Sequence, residues 1–253
     1  MCMAIIPAAA RYVPPSGGSA HRLVLFDVMD TLVRDPFFMG FEKDLFNIDG
    51  GIKNLFTVKD QASFVAFEKG EISEAQHFET CALHASPPIS PVATAAHLVC
   101  NAPWSFSRCT VISDFNDRRP CDGTAIKAYL RSHYEWLPGM RELATDLHAA
   151  GVPMATFSNY PKEWACIVED SVQLSTLVPW AFISGEQGVR KPSPEAFEAA
   201  LKVVGRTRND VVFVDDSKTN TDAASALGIP TVHFEGAEAL RPALRSLLGL
   251  SRL

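Results

Sequence analysis

The sequence predicts an α/β protein built on a doubly wound parallel sheet with an inserted helical cap. Three observations point there. Short, nearly continuous apolar runs recur along the chain. The spacers between most of them carry helix start and stop signals. The second run arrives only after residues 28–151, far more chain than one crossover connection needs.

The apolar runs lie at residues 22–27, 152–158, 181–184, 211–215 and 231–234. Runs of this length without polar alternation suit strands covered on both faces, as in a parallel sheet. The spacers read as helices. Residues 139–150 end at Gly151, a C-cap signal. Ser193, Pro194 and Glu195 supply an N-cap, a first-turn proline and a first-turn acid for a helix to Val204, closed by Gly205. Residues 219–227 form another, closed by Gly228. Residues 237–248 form the last, with Pro242 in its path as a potential break.

Within the long insertion, residues 62–69, 73–83 and 124–134 have helical character. Residues 86–91 carry three prolines and exclude a regular helix. The expected organisation is a tail or short targeting segment over 1–20, a core from 21–33 with 137–253, and a cap over 34–136 whose segment 86–122 is irregular loop. The first twenty residues contain no acid and one arginine, a composition shared by free tails and organelle-targeting segments.

Composition bounds the function. The 253 residues are 47% hydrophobic, 21% charged, and carry a formal net charge of −6. That balance disfavours nucleic acid or an anionic membrane as a partner. It leaves open a small anionic substrate, since a bound divalent cation inverts the local field. No apolar stretch reaches spanning length. The 6 cysteines form no zinc-like spacing and read as free thiols in a reducing compartment.

In open parallel sheets, ligands bind at the carboxyl ends of the strands. Asp27, Ser158 and the pair Asp215-Asp216 stand at such ends, and Lys191 follows the third run. Each has a commoner structural fate alone: a turn for Asp27, a helix cap for Ser158 or Asp215-Asp216, a solvated loop charge for Lys191. Together they form a set. Converging carboxylates repel, by about 4 kcal/mol per pair at 4 Å and an effective dielectric near 20. A hard cation held by oxygens offsets this, and Mg²⁺ suits such a site. Lys191 and the Ser158 hydroxyl complete a cradle for a phosphate dianion, with Asp27 placed to attack phosphorus.

The motif Phe26-Asp27-Val28-Met29-Asp30-Thr31-Leu32 resembles the first signature of the haloacid dehalogenase superfamily. Thr156-Phe157-Ser158-Asn159, Gly188-Val189-Arg190-Lys191-Pro192-Ser193-Pro194-Glu195 and Val214-Asp215-Asp216-Ser217 with Asn220 resemble the second, third and fourth, in order. Glu68-Lys69-Gly70-Glu71-Ile72-Ser73 is similar to a segment of that superfamily's helical caps. The resemblance implies a Rossmann-like core with Asp27 as nucleophile and metal ligand. It implies the Met29 carbonyl, Asp215 and Asp216 as further ligands of Mg²⁺, and Ser158 and Lys191 as holders of the phosphoryl group. Asn159, Thr31 and Arg34 are expected at the substrate.

One departure bears on function. Most phosphatases of that superfamily carry an acid two residues after the nucleophile, where this chain has Met29 and places Asp30 one residue later. General acid catalysis contributes roughly 10²–10⁴-fold, so its loss slows a phosphatase without abolishing it. Asp30, a cap residue or water is the expected proton source. The first motif region, with residues 67–70 and 157–161, is similar to plant-type plastid flavin mononucleotide (FMN) phosphatases, which share the methionine. The expected activity is Mg²⁺-dependent hydrolysis of a small phosphorylated metabolite, with FMN as the named possibility, in plastid or cytoplasm. A hydrolytic dehalogenase and a catalytically silent phospho-ligand-binding domain are the alternatives. Oligomeric state is not encoded in any motif.

Overall fold

The computed structural model describes residues 6–15, 21–46, 49, 61–83 and 122–253. The expected irregular loop at 86–122 lies outside these, apart from Asp122. The described chain divides into two compact units, residues 1–35, 68–71 and 131–253 in one and 36–67 and 72–130 in the other.

The first unit is built on a five-stranded, wholly parallel sheet in the order β3-β2-β1-β4-β5. Its strands are β1 (Leu23–Phe26), β2 (Met154–Ser158), β3 (Phe182–Ile183), β4 (Val211–Asp215) and β5 (Thr231–His233). Phe26 pairs with Thr156 on one side and Val214 on the other, so the ends of β1, β2 and β4 are in register. The chain winds outward from β1 through β2 to β3, then returns to the other side of β1 for β4. That reversal creates the crevice where such sheets bind ligands.

Helices α5 (Met140–Ala149), α6 (Lys162–Val172), the short α7 (Ser184–Gln187), α8 (Pro194–Val204), α9 (Lys218–Ala226) and α10 (Ala237–Leu248) belong to this unit. On α5, Met140, Leu143, Ala144 and Leu147 are buried at helical spacing. Phe157 of β2 lies at the centre of an aromatic cluster, with ring centroids 4.7 Å from Phe182, 5.2 Å from Phe197 and 5.5 Å from Phe213. Pro242 does not break α10. It sits on the exposed face, while Leu240, Leu244 and Leu248 anchor the buried one. The carbonyl it leaves without a donor can meet water instead.

Two expectations need correction. Residues 6–15 are not a free tail. Ile6 and Ala10 are buried, Arg11 bridges to Trp180 in parallel, and the Trp180 N–H donates to the Ala10 carbonyl while the Tyr12 N–H donates to that of Trp180. Arg11 also forms a two-pronged pair with Glu186 at 2.5 and 2.7 Å. The short β3 leaves Trp180 unpaired by any strand, and this segment supplies the partner. The expected core boundaries at 33 and 137 also fall inside a paired stem: Val33 bridges Trp136 antiparallel, and the Arg34 N–H donates to the Glu135 carbonyl.

The second unit contains α1 (Phe41–Phe46), most of α2 (Gln61–Glu68), α3 (Glu74–Leu83) and most of α4 (Gly123–His133). Phe41 is buried against Phe37, Phe46 and Tyr129, with ring centroids at 4.6, 5.5 and 5.3 Å. Ser73 opens α3 with a capping box: its hydroxyl accepts the Gln76 N–H, and Gln76 Oε1 accepts the Ser73 N–H. The Ser63 hydroxyl and His77 Nδ1 pair at 2.7 Å in the interior, with His77 stacked on Phe67.

Candidate active site

Asp27 leaves β1 with its N–H donated to the Val214 carbonyl, which sets it beside the end of β4. Lys191, 1% exposed, spends its ammonium on three acceptors: Asp27 Oδ1 at 2.8 Å, Asp215 Oδ2 at 2.6 Å and the Phe157 carbonyl at 2.7 Å. Its Nζ also lies 5.0 and 5.3 Å from the Phe157 and Phe213 ring centres. A buried lysine survives as a cation only when so paired. Burial depresses its pKa, but Asp27 and Asp215 outweigh that and the net shift is upward.

Asp27, Asp215 and Asp216 each offer a carboxylate oxygen within 4.8 Å of the others. One ammonium cannot neutralise three carboxylates. Burial pushes the Asp27 carboxyl up, Lys191 pulls it down, and Asp215 and Asp216 push it up again, for a net value of about 8. Asp216 is likewise raised, by burial first and then by Asp215 and Asp30. These upward shifts mark negative charge that a divalent cation would offset, and the all-oxygen donor set suits a hard one. Asp215 is already engaged by the Ser217 N–H at 2.8 Å and the Asn220 amide at 3.0 Å, whereas the Asp216 side chain is more exposed.

Ser158 at the end of β2 is fully buried, and its hydroxyl has no hydrogen-bond partner among the described residues. An orphaned buried hydroxyl at a strand end calls for a ligand atom. Met29 follows Asp27 in a tight turn in which the Val33 N–H donates to Val28 and the Asp30 N–H to Val33. The Met29 carbonyl stays outside that pair of bonds.

The other sequence-predicted residues take supporting positions. Thr31 is buried, and its hydroxyl accepts the Asp216 N–H at 3.1 Å. Asn159 joins its amide to both backbone groups of Lys191 at 2.9 Å. Asp30 adopts φ 52°, a left-handed conformation Asp tolerates, and its Oδ1 accepts the Asp35 N–H at 2.9 Å. Its carboxyl is shifted up, chiefly by burial. Arg34 pairs with Glu135 at 2.8 Å on the surface. These contacts make Thr31 and Asn159 holders of Asp216 and Lys191, and turn Arg34 toward the stem.

Sequence reasoning assigned no role to Asn220, although its position in the first turn of α9, five residues after Asp215, marks it. Nor did it assign individual roles to Tyr160, Ser184, Arg190 and Glu68. Tyr160 is buried and bonded to the Tyr134 hydroxyl, and its pKa is raised well above the usual value by burial.

A sheet of this winding, with an acid at the end of β1, a buried lysine bridging it to an acid at the end of β4, and a hydroxyl at the end of β2, defines a class. The chain belongs to the haloacid dehalogenase-like hydrolases, and it is an enzyme. The family model for haloacid dehalogenase-like hydrolases matches residues 117–228. Within the family, the chain is 32% identical over 228 residues to flavin mononucleotide hydrolase 1, chloroplastic, of Arabidopsis thaliana, covering 89% of this chain and 77% of that one. It is 29% identical over 109 residues to a phosphoglycolate phosphatase of Pseudomonas savastanoi pv. phaseolicola, 42% of this chain and 40% of the other. The fold is shared with a haloacid dehalogenase family enzyme of Bacteroides thetaiotaomicron solved with magnesium and inorganic phosphate. That match has a TM-score of 0.58 at 18% identity, over 87% of this chain and 98% of that one.

Proposed function

We propose that this enzyme is a Mg²⁺-dependent phosphatase of small phosphate monoesters, with FMN as substrate and riboflavin and phosphate as products. The observation that carries the reading is the sharing of one buried ammonium by Asp27 and Asp215, beside a third carboxylate and the unpartnered Ser158 hydroxyl. Asp27, Asp215, Asp216 and the Met29 carbonyl would hold Mg²⁺, which when bound supplies positive charge against the phosphoryl oxygens. Asp27 Oδ2 is the attacking atom, since Lys191 occupies Oδ1. Phosphorus passes from the ester oxygen to Asp27, giving an aspartyl-phosphate that water then hydrolyses. The Lys191 ammonium and Ser158 hydroxyl stabilise the equatorial oxygens. Asp30, with its raised pKa, or a water supplies the proton to the leaving alkoxide in place of the missing acid at Met29.

FMN and a plastid location rest on the Arabidopsis relative, whose name carries both. Phosphate release from FMN and from a general aryl phosphate, with Mg²⁺ and with chelator, tests the reading. Release from both that stops under chelation supports it. Release that persists under chelation removes the metal. No release from either leaves the dehalogenase and the silent-domain readings.

A further inference from the structure

The segment Glu68–Glu71 belongs to the first unit, although the residues before and after it belong to the second. Its seat is the chain that leads to Lys191. The Ser184 hydroxyl donates to the Glu68 carbonyl at 2.5 Å and accepts the Tyr160 N–H at 2.9 Å, so one buried side chain ties Glu68 to the loop after β2. The Glu68 carboxylate, itself largely buried, lies 3.1 Å from the Arg190 guanidinium. Gly70 has φ +68°, and a Cβ there would stand 2.3 Å from the Gly185 carbonyl oxygen. Only glycine fits that approach.

We infer that Glu68 is a positioning residue for Lys191, acting through Arg190, while the Ser184 bond to its main-chain carbonyl holds the segment in place. Arg190 is the residue before the lysine, and its Nε is buried with no hydrogen-bond partner among the described residues. Its orientation therefore depends on the far end of the guanidinium, where Glu68 sits. The Asn159 amide fixes the Lys191 peptide from one side, and the Glu68–Arg190 pair fixes the preceding residue from the other. Loss of either shifts an ammonium that must meet three acceptors at once. The catalytic consequence rests on the phosphatase reading; the mechanical one does not. The defect should fall on the phosphoryl cradle and be indifferent to the leaving group.

The test compares Glu68→Gln, Glu68→Asp, Arg190→Gln and the double variant Glu68→Gln/Arg190→Gln with the parent enzyme. Readouts are kcat and KM for FMN and an aryl phosphate, and hydrogen exchange of the peptide spanning residues 188–193. Either Gln variant should lower kcat about tenfold on both substrates with KM nearly unchanged. The double should be no worse than the worse single, and Glu68→Asp should recover part of the loss. Exchange over 188–193 should quicken in both Gln variants. Unchanged exchange overturns the inference whatever the activity, as do multiplying effects in the double or a KM change confined to one substrate. A parent enzyme that releases no phosphate while exchange responds as expected defeats the phosphatase reading and upholds the positioning role.

Discussion

Asn159 and Lys191 are joined twice, side-chain amide to main chain, at 2.9 Å in each direction. The loop after β2 thereby sets the height of the lysine that the loop after β3 delivers. Asn159→Ala removes both bonds and leaves a partly buried N–H and C=O without partners. The expected cost is about 1–3 kcal/mol in stability. Displacement of the ammonium by about 1 Å would lower kcat up to about 100-fold. Urea unfolding and steady-state kinetics on the same preparation check both figures; normal kcat in a destabilised variant would show that Lys191 holds its place unaided.

The Asp27 carboxyl gives a pH dependence whose sign is fixed. Its value in the metal-free fold is about 8 against an ordinary 3.8. The folded state therefore holds a proton that the unfolded chain has shed. The stability this contributes is fully present below pH 3.8 and is lost as pH rises through about 8. Asp27→Asn has no such proton. Without metal, the melting temperature of the parent should fall relative to Asp27→Asn from pH 5 to pH 8 and level off above. Saturating Mg²⁺ should abolish the divergence. Parallel melting curves across that range in chelator would mean that Asp27 is ionised without a cation.

Met29→Asp restores an acid two residues after the nucleophile. Turnover of alkyl phosphates, whose alkoxide needs a proton, should rise by up to about 100-fold. Aryl phosphates leave more easily and should gain far less. Equal gains on both would place the benefit elsewhere than in protonation.

Removing residues 1–15 strips Ile6, Ala10 and the Arg11–Glu186 pair from the edge next to Trp180. The expected loss is about 2–4 kcal/mol, mostly from the two buried side chains and the hydrogen bonds to Trp180. Trp180 is fully buried in the full chain. Its fluorescence should shift to the red in the truncated one, and an unshifted spectrum would count against this packing.

The legible parts of the sequence were those governed by local rules. The run ending in Asp215 matched β4 at both ends, because a strand buried on both faces is apolar throughout. The start of α8 at Pro194 and its end at Gly205, φ 63°, followed from cap chemistry. Asp27, Ser158, Asp215 and Asp216 stood out as candidates because they close apolar runs, and Lys191 because its motif falls in order between theirs; the structure brings Asp27, Lys191, Asp215 and Asp216 together. Long-range partners were not. Nothing near Asn159 announces that its amide faces the Lys191 peptide. Residues 6–15 look like a tail because their partner, Trp180, lies far along the chain. Helix α6 escaped notice for a different reason: Trp164 to Val168 are buried in unbroken succession, which hides helical periodicity.

The central position of β1 shapes how the enzyme comes into being. Its two neighbours in the sheet, β2 and β4, are made long after it; Leu23 meets Val211 only when most of the chain exists. At synthesis rates of about 5–20 residues per second, that apolar strand waits on the order of 7–26 s for β2 with both edges open, and on the order of 10–40 s before β4 can cover the second edge. Such late pairings make folding slow and leave the nascent chain prone to aggregation. Recombinant yield should therefore respond to growth temperature and to chaperone supply more than the stability of the finished protein suggests.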